Sequence, residues 1–99
     1  MIRAVFTDSS FVVTGHSGYA ASGRDIVCAA VSAMTMLVCN TITEQFKARA
    51  AVSSDERDAS VGLELLDGDI ASRRLIAGLR AELEALSLEY PGNVRVESE

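Results

Sequence analysis

Two side chains in this chain are suited to covalent chemistry, and their spacing suggests that they work together. His16 is the only histidine of the 99 residues, and Cys28 follows it at the mouth of a long apolar segment. Imidazole is the side chain whose ordinary pKa lies near neutrality, so His16 suits the role of general base. A thiol attacks carbonyls as its thiolate, which a nearby imidazolium and a helix N-terminus both favour. Gly15 precedes the histidine, and Gly18 and Gly23 punctuate the segment before the cysteine. Such a loop could bend to bring base and nucleophile together.

The elements around this pair can be read from hydrophobic periodicity. Ile2, Ala4 and Phe6 alternate with Arg3, Val5 and Thr7, which predicts a strand. Asp8-Ser9-Ser10 signals a turn, and Phe11 to Thr14 a second strand, so the two form a hairpin with His16 just past its end. From Ile26 to about Lys47 the chain has neither proline nor glycine and is apolar on most sides. That length predicts a helix, buried over much of its surface. Asp25 is its N-cap candidate, which makes Cys28 the third helical residue. Ala50-Ala51-Val52 reads as a short strand, Ser53 to Asp58 as a charged turn, and Val61 to Leu65 as a strand. Asp69 can cap a second helix with Ile76, Leu79, Leu83, Leu86 and Tyr90 on one stripe, ended by Pro91-Gly92. Val94 and Val96 mark a last strand. The expected fold is a two-layer α+β sandwich over residues 1–99 as one domain: a mostly antiparallel sheet with two helices, in the order ββαββαβ.

Each candidate residue also has a structural reading. Cys28, among Val27, Ala29 and Ala30, would serve as core filling. Its case for reactivity is position, in a first helical turn whose unpaired N–H groups and dipole stabilise a thiolate. His16 alone would suit an ordinary loop. Asp25 serves as a cap or as the group that orients His16. Ser32, one turn after Cys28, lies within reach of a site or bonds back along its helix. Ser9, Ser10 and Ser17 are alternative hydroxyl nucleophiles, with nothing local to activate them. Cys39 lies eleven residues beyond Cys28, roughly 16 Å along a helix. That separation prevents a disulfide and a shared metal ion, so Cys39 reads as core and no metal or cofactor is expected.

The formal net charge is −5, with no block of basic residues. This argues against direct binding to nucleic acid and favours a basic partner. Met1 to Phe6 lacks the layout of a signal peptide, and the apolar run Ile26 to Val38 is too short to span a bilayer. The expected setting is the cytoplasm, with both thiols reduced and no membrane contact.

The segment Gly15-His16, a glycine-containing loop, then Asp25-Ile26-Val27-Cys28-Ala29 with Ser32 four residues past the cysteine resembles the bacterial ribosomal-processing cysteine proteases. The resemblance covers essentially the whole chain. It implies an endopeptidase that removes the N-terminal extension of a large-subunit ribosomal protein, the twenty-seventh, after an aromatic-rich stretch. It implies Cys28 as nucleophile and His16 as general base, with Asp25 and Ser32 near the site. Backbone N–H groups of the helix N-terminus, with one from the Gly15 region, would hold the oxyanion. It further implies a homodimer and a loop that opens for substrate. Two other readings stand beside it: a non-enzymatic module that docks on a basic ribosomal or assembly partner, and a thiol hydrolase of small esters or amides.

Overall fold

The computed structural model describes residues 1–16, 18–21 and 24–99; Ser17, Ser22 and Gly23 lie outside the described residues. Its strands are β1 (Ile2–Phe6), β2 (Ser10–Thr14), β3 (Ala50–Asp55), β4 (Ser60–Leu65) and β5 (Val94–Ser98). Its helices are α1 (Ile26–Asn40), continued by a π turn over Thr41–Gln45, and α2 (Ile70–Glu89). The order is therefore ββαββαβ, as the periodicity predicts.

The sheet runs β3-β4-β2-β1-β5. β1 and β2 form the expected hairpin, β2 pairs antiparallel with β4 and β4 with β3, and only β5 joins parallel, alongside β1. Period-two alternation puts Ile2, Ala4, Phe6, Phe11, Val13, Leu63 and Leu65 in the buried core. α1 contributes Val27, Val31, Thr35, Val38 and Cys39, and α2 contributes Ile76, Leu79 and Leu83. Buried Thr35 is satisfied by donating to the Val31 carbonyl at 2.7 Å.

Three expectations need correction. Ser53 to Asp55 belongs to β3, in register with Ser60 to Gly62, so the turn is shorter than the charges suggest. β3 is an edge strand open to water, where Ser and Asp cost little and the alternation signal fades. The helix is also not buried on most sides. Ile26, Ala29, Ala30, Ala33, Met36 and Leu37 are exposed, because a two-layer fold covers only one side of a helix. Last, the apolar run is longer than Ile26 to Val38. The continuous helix Ile26–Gln45 has 20 residues, and an 18-residue window of it has a mean hydropathy of 1.8, long and apolar enough to cross a membrane by length and composition. Its buried stripe, continued by Ile42, packs against the protein's own core.

α2 begins where Asp69 accepts hydrogen bonds from the Ser72 N–H, at 2.9 Å, and from the buried Ser72 hydroxyl. The end of α1 is held differently. Lys47, at φ 53°, turns the chain, and Asp67 accepts from the N–H groups of Arg49 and Asp69. These donors hold the Asp67 carboxyl below its usual value, Arg49 first. Its contribution to stability is complete above the ordinary carboxylate range and is lost as pH falls below it. Removing the Asp69 cap by Asp69→Ala is expected to cost about 1 kcal/mol. Thermal melts should show this as a drop of about 4–8 °C in Tm.

Candidate active site

One end of the sheet gathers five chain segments. β2 ends there, α1 starts there, the β3–β4 turn lies there, and β1 and β5 begin there. The contacts are specific. Gly15 donates its N–H to the carbonyls of Asp58 and Ala59, at 3.2 Å each, and Ile2 donates to Asn93 at 2.8 Å. Gly15 has φ +97°, and a Cβ on it would sit 2.6 Å from the Met1 carbonyl oxygen. Only glycine fits both constraints. Its own N–H is already engaged by the Asp58 and Ala59 carbonyls.

Asp25 fixes the start of α1. Its Oδ1 accepts from the Cys28 N–H at 2.9 Å, the capping role predicted for it. The Ala29 N–H is bonded to the Asp25 carbonyl, whereas those of Ile26 and Val27 have no partner among the described residues. Cys28 is half-buried in this first turn, and His16 is exposed at the end of the β2 connection.

His16, Asp25, Cys28 and Ser32 line one cavity of about 650 Å³, together with Gly18 and Arg24. Four of the five sequence-predicted site residues thus share one space. Gly15 lies on the other side of Cys28, in a second cavity. No hydrogen bond joins His16 to Cys28 or Asp25 among the described residues. The two potential reactants face a common space with room for an extended backbone segment, and a contact between them can tighten when substrate binds. Of the alternative nucleophiles, Ser9 and Ser10 sit at the far end of β2 from His16, and Ser17 lies outside the described residues.

Two contributors escaped the sequence reading. Arg24 puts a cation in the cavity wall beside Asp25. Tyr19, in the loop, packs edge-on against Tyr90 at the end of α2, with ring centroids 5.3 Å apart. An isolated arginine beside a cap carries no signal of its own, and the tyrosine pair spans most of the chain.

The family model described as cysteine protease Prp matches residues 1–95. The ribosomal processing cysteine protease Prp of Mycoplasma pneumoniae is 31% identical, over 100% of this chain and 96% of its own length. Among solved structures, Prp from S. aureus with a covalently linked product peptide has a TM-score of 0.88 at 20% identity. It covers 99% of this chain and 97% of its own. SMU.848 from Streptococcus mutans has a TM-score of 0.82 at 27% identity, covering 99% of this chain and 93% of its own.

The two cysteines should separate cleanly. Cys39 is 2% exposed, and burial pushes its thiol up. Mass spectrometry after brief alkylation of the native protein is expected to find label on Cys28 and none on Cys39. The folded chain also holds the Cys39 proton to higher pH than the unfolded chain. Its contribution is intact below the ordinary thiol range and is lost as pH rises through it. Denaturant titrations from about pH 8 to about pH 10 should show wild type losing more stability than Cys39→Val. Gly15→Ala is expected to destabilise by about 1–3 kcal/mol, read from the same titrations.

Proposed function

The chain belongs to the cysteine protease Prp family, and on that premise we propose that it removes the N-terminal extension of a large-subunit ribosomal protein, the twenty-seventh, with Cys28 as nucleophile and His16 as base. The observation that carries this reading is the shared cavity of His16 and Cys28 at the N-terminus of α1. The relative from Mycoplasma pneumoniae, named a ribosomal processing protease, supports the substrate class.

In the proposed mechanism, Cys28 thiolate attacks the scissile carbonyl and forms a tetrahedral oxyanion. The N–H groups of Ile26 and Val27, without a partner among the described residues, would receive that charge at the positive end of α1. Collapse of the intermediate breaks the C–N bond, and imidazolium His16 protonates the departing amine. A thioester remains on Cys28. His16, now neutral, takes a proton from water, and the hydroxide equivalent releases the acid and restores the thiol. Asp25 holds the start of the helix in place, and Ser32 borders the cavity one turn on. The acidic balance of the chain, −5, favours a basic mature portion of the substrate.

The proposal includes a homodimer in the cytoplasm, where thiols stay reduced. The exposed apolar flank of α1, with Leu37 at 65% and Met36 at 44%, supports self-association. Leu37→Glu is expected to shift the mass measured by light scattering from dimer to monomer.

Cleavage of a peptide spanning the extension junction of the host's own ribosomal protein tests the function. Wild type should make a single cut and Cys28→Ala none, with its fold unchanged by circular dichroism. His16→Ala should lower kcat/KM by about 10²–10⁴. Equal cutting by Cys28→Ala would overturn the mechanism. Turnover of small esters without any peptide cleavage would favour a thiol hydrolase.

A further inference from the structure

The outer edge of β3 carries a row of backbone groups that the sheet does not use. The Leu66 N–H donates to the Arg49 carbonyl at 2.8 Å, one step before the Ala50–Leu65 pair. Antiparallel strands alternate between pairs that exchange hydrogen bonds and pairs that do not. Ala51, Ser53 and Asp55 therefore turn their backbone groups towards β4. Ala50, Val52 and Ser54 turn theirs to the open edge, where no described residue bonds them. Leu65 fits the same parity, because its N–H is donated away from β3, to the Ser9 carbonyl at 2.8 Å. Natural edge strands are usually blunted by charge, proline or a bulge. From Ala50 to Ser54 there is no charge and no proline, and the register is unbroken.

This edge starts beside the candidate site. The β3–β4 turn lies at the sheet end where Gly15 is bonded to Asp58 and Ala59. Ala59 and Val61 border the second cavity together with Cys28. From Val61 to the open side of β3 is two strand spacings, about 10 Å, which three extended residues span. Asp55, Glu56 and Asp58 are exposed in and before the turn, with Arg57 among them. Lys47 and Arg49 lie at the other end of β3. Val52 stands opposite buried Leu63, on the core face of the sheet, yet it is 50% exposed.

We infer that the open edge of β3 binds the part of the substrate that follows the cut, as an added antiparallel strand, and that this part carries its basic residues close to the cut. The inference rests on the protease reading above and adds a docking surface to it. Three observations carry it. The first is hydrogen bonding. Ala50, Val52 and Ser54 offer a row of donors and acceptors that an extended segment satisfies whatever its side chains. The second is direction. A chain that leaves the cut at the turn runs from Asp55 to Ala50, opposite to β3. The segment before the cut would have to pair parallel, the slightly weaker arrangement. The third is charge. The acids of the turn meet the first residues after the cut, whereas Lys47 and Arg49 oppose a cation at the far end. Val52 gives an apolar side chain of the added strand a neighbour to cover.

The test compares junction peptides that are identical up to the cut and carry either about two or about ten residues after it. Wild type should cut the long peptide about tenfold faster in kcat/KM, chiefly through KM. Single N-methyl groups placed along the long peptide should act with a period of two. A methyl on an amide that faces β3 should remove the length advantage, and one on either neighbour should leave it. Val52→Pro deletes the central outward N–H and spares the ladder to β4. It should cut the short peptide as wild type does and the long one no faster. Moving the basic residues of the long peptide to its far end should slow wild type, and Glu56→Lys should weaken that preference. If Val52→Pro does not fold, the N-methyl series on wild type decides alone. Equal rates for short and long peptides would overturn the inference while leaving the protease reading intact. A length advantage without the period of two would also overturn it, because charge attraction alone would then explain it. A fall in mass of Val52→Pro by light scattering would give the edge to a second copy of the chain and overturn it as well. No cutting of any peptide by wild type would overturn both.

Discussion

The hydrogen bond from the Cys28 N–H to Asp25 decides where α1 begins, and the rest of the site follows from that point. Ending the cap one residue earlier or later would turn Cys28 by about 100° around the helix and away from His16. The same turn leaves the Ile26 and Val27 N–H groups without a partner among the described residues, with Ile26 in the cavity wall. The cap has an electrostatic cost. A helix N-terminus carries roughly half a positive charge, whereas Asp25 brings a full negative one to the same turn. In the proposed mechanism, His16 as imidazolium therefore supplies the counter-charge for the thiolate.

Gly15 performs the matching task on the other side. Its backbone is locked between the Met1 carbonyl and the β3–β4 turn, which holds the end of β2 against the start of β1. His16 leaves the sheet from this fixed point. His16 and Cys28 are thus each one residue or one cap away from rigid structure, and Gly18, Ala20 and Arg24 between them line the cavity. The contact of Tyr19 with Tyr90 ties part of that segment to the end of α2. A candidate site at the junction of a sheet end and a helix start, with a cavity of about 650 Å³ beside it, suits a substrate that enters in extended form.

Much of this could be read from the residues. Alternation in Ile2 to Phe6 and the three-and-four spacing in α2 reflect one-sided burial, which leaves a period in the sequence. The cap at Asp25 was legible because capping is local chemistry. The failures share a cause. β3 runs on through Ser53 to Asp55 because an edge strand is held by backbone pairing, which side chains do not report. The outer flank of α1 reads as core because alanine, methionine and leucine give the same signal whether they face the sheet or a partner. The second cavity and the tyrosine pair join residues distant in the chain, and pairings of that kind have no sequence period. Position at the helix start marked Cys28 as the candidate nucleophile and Cys39 as core, and their burial differs accordingly: Cys39 lies in the core and Cys28 at its border.

The central claim is that a peptide's acyl group passes through Cys28. The most direct measurement is mass spectrometry of the acid-quenched protein during its first turnover on the junction peptide. The account predicts a transient species heavier than the free protein by the acyl fragment, minus the elements of water, with fragmentation placing the addition on Cys28. It should be labile to hydroxylamine, as a thioester is. Peptide cleavage with no such species under conditions that slow hydrolysis, or an addition located on any other residue, would contradict the account.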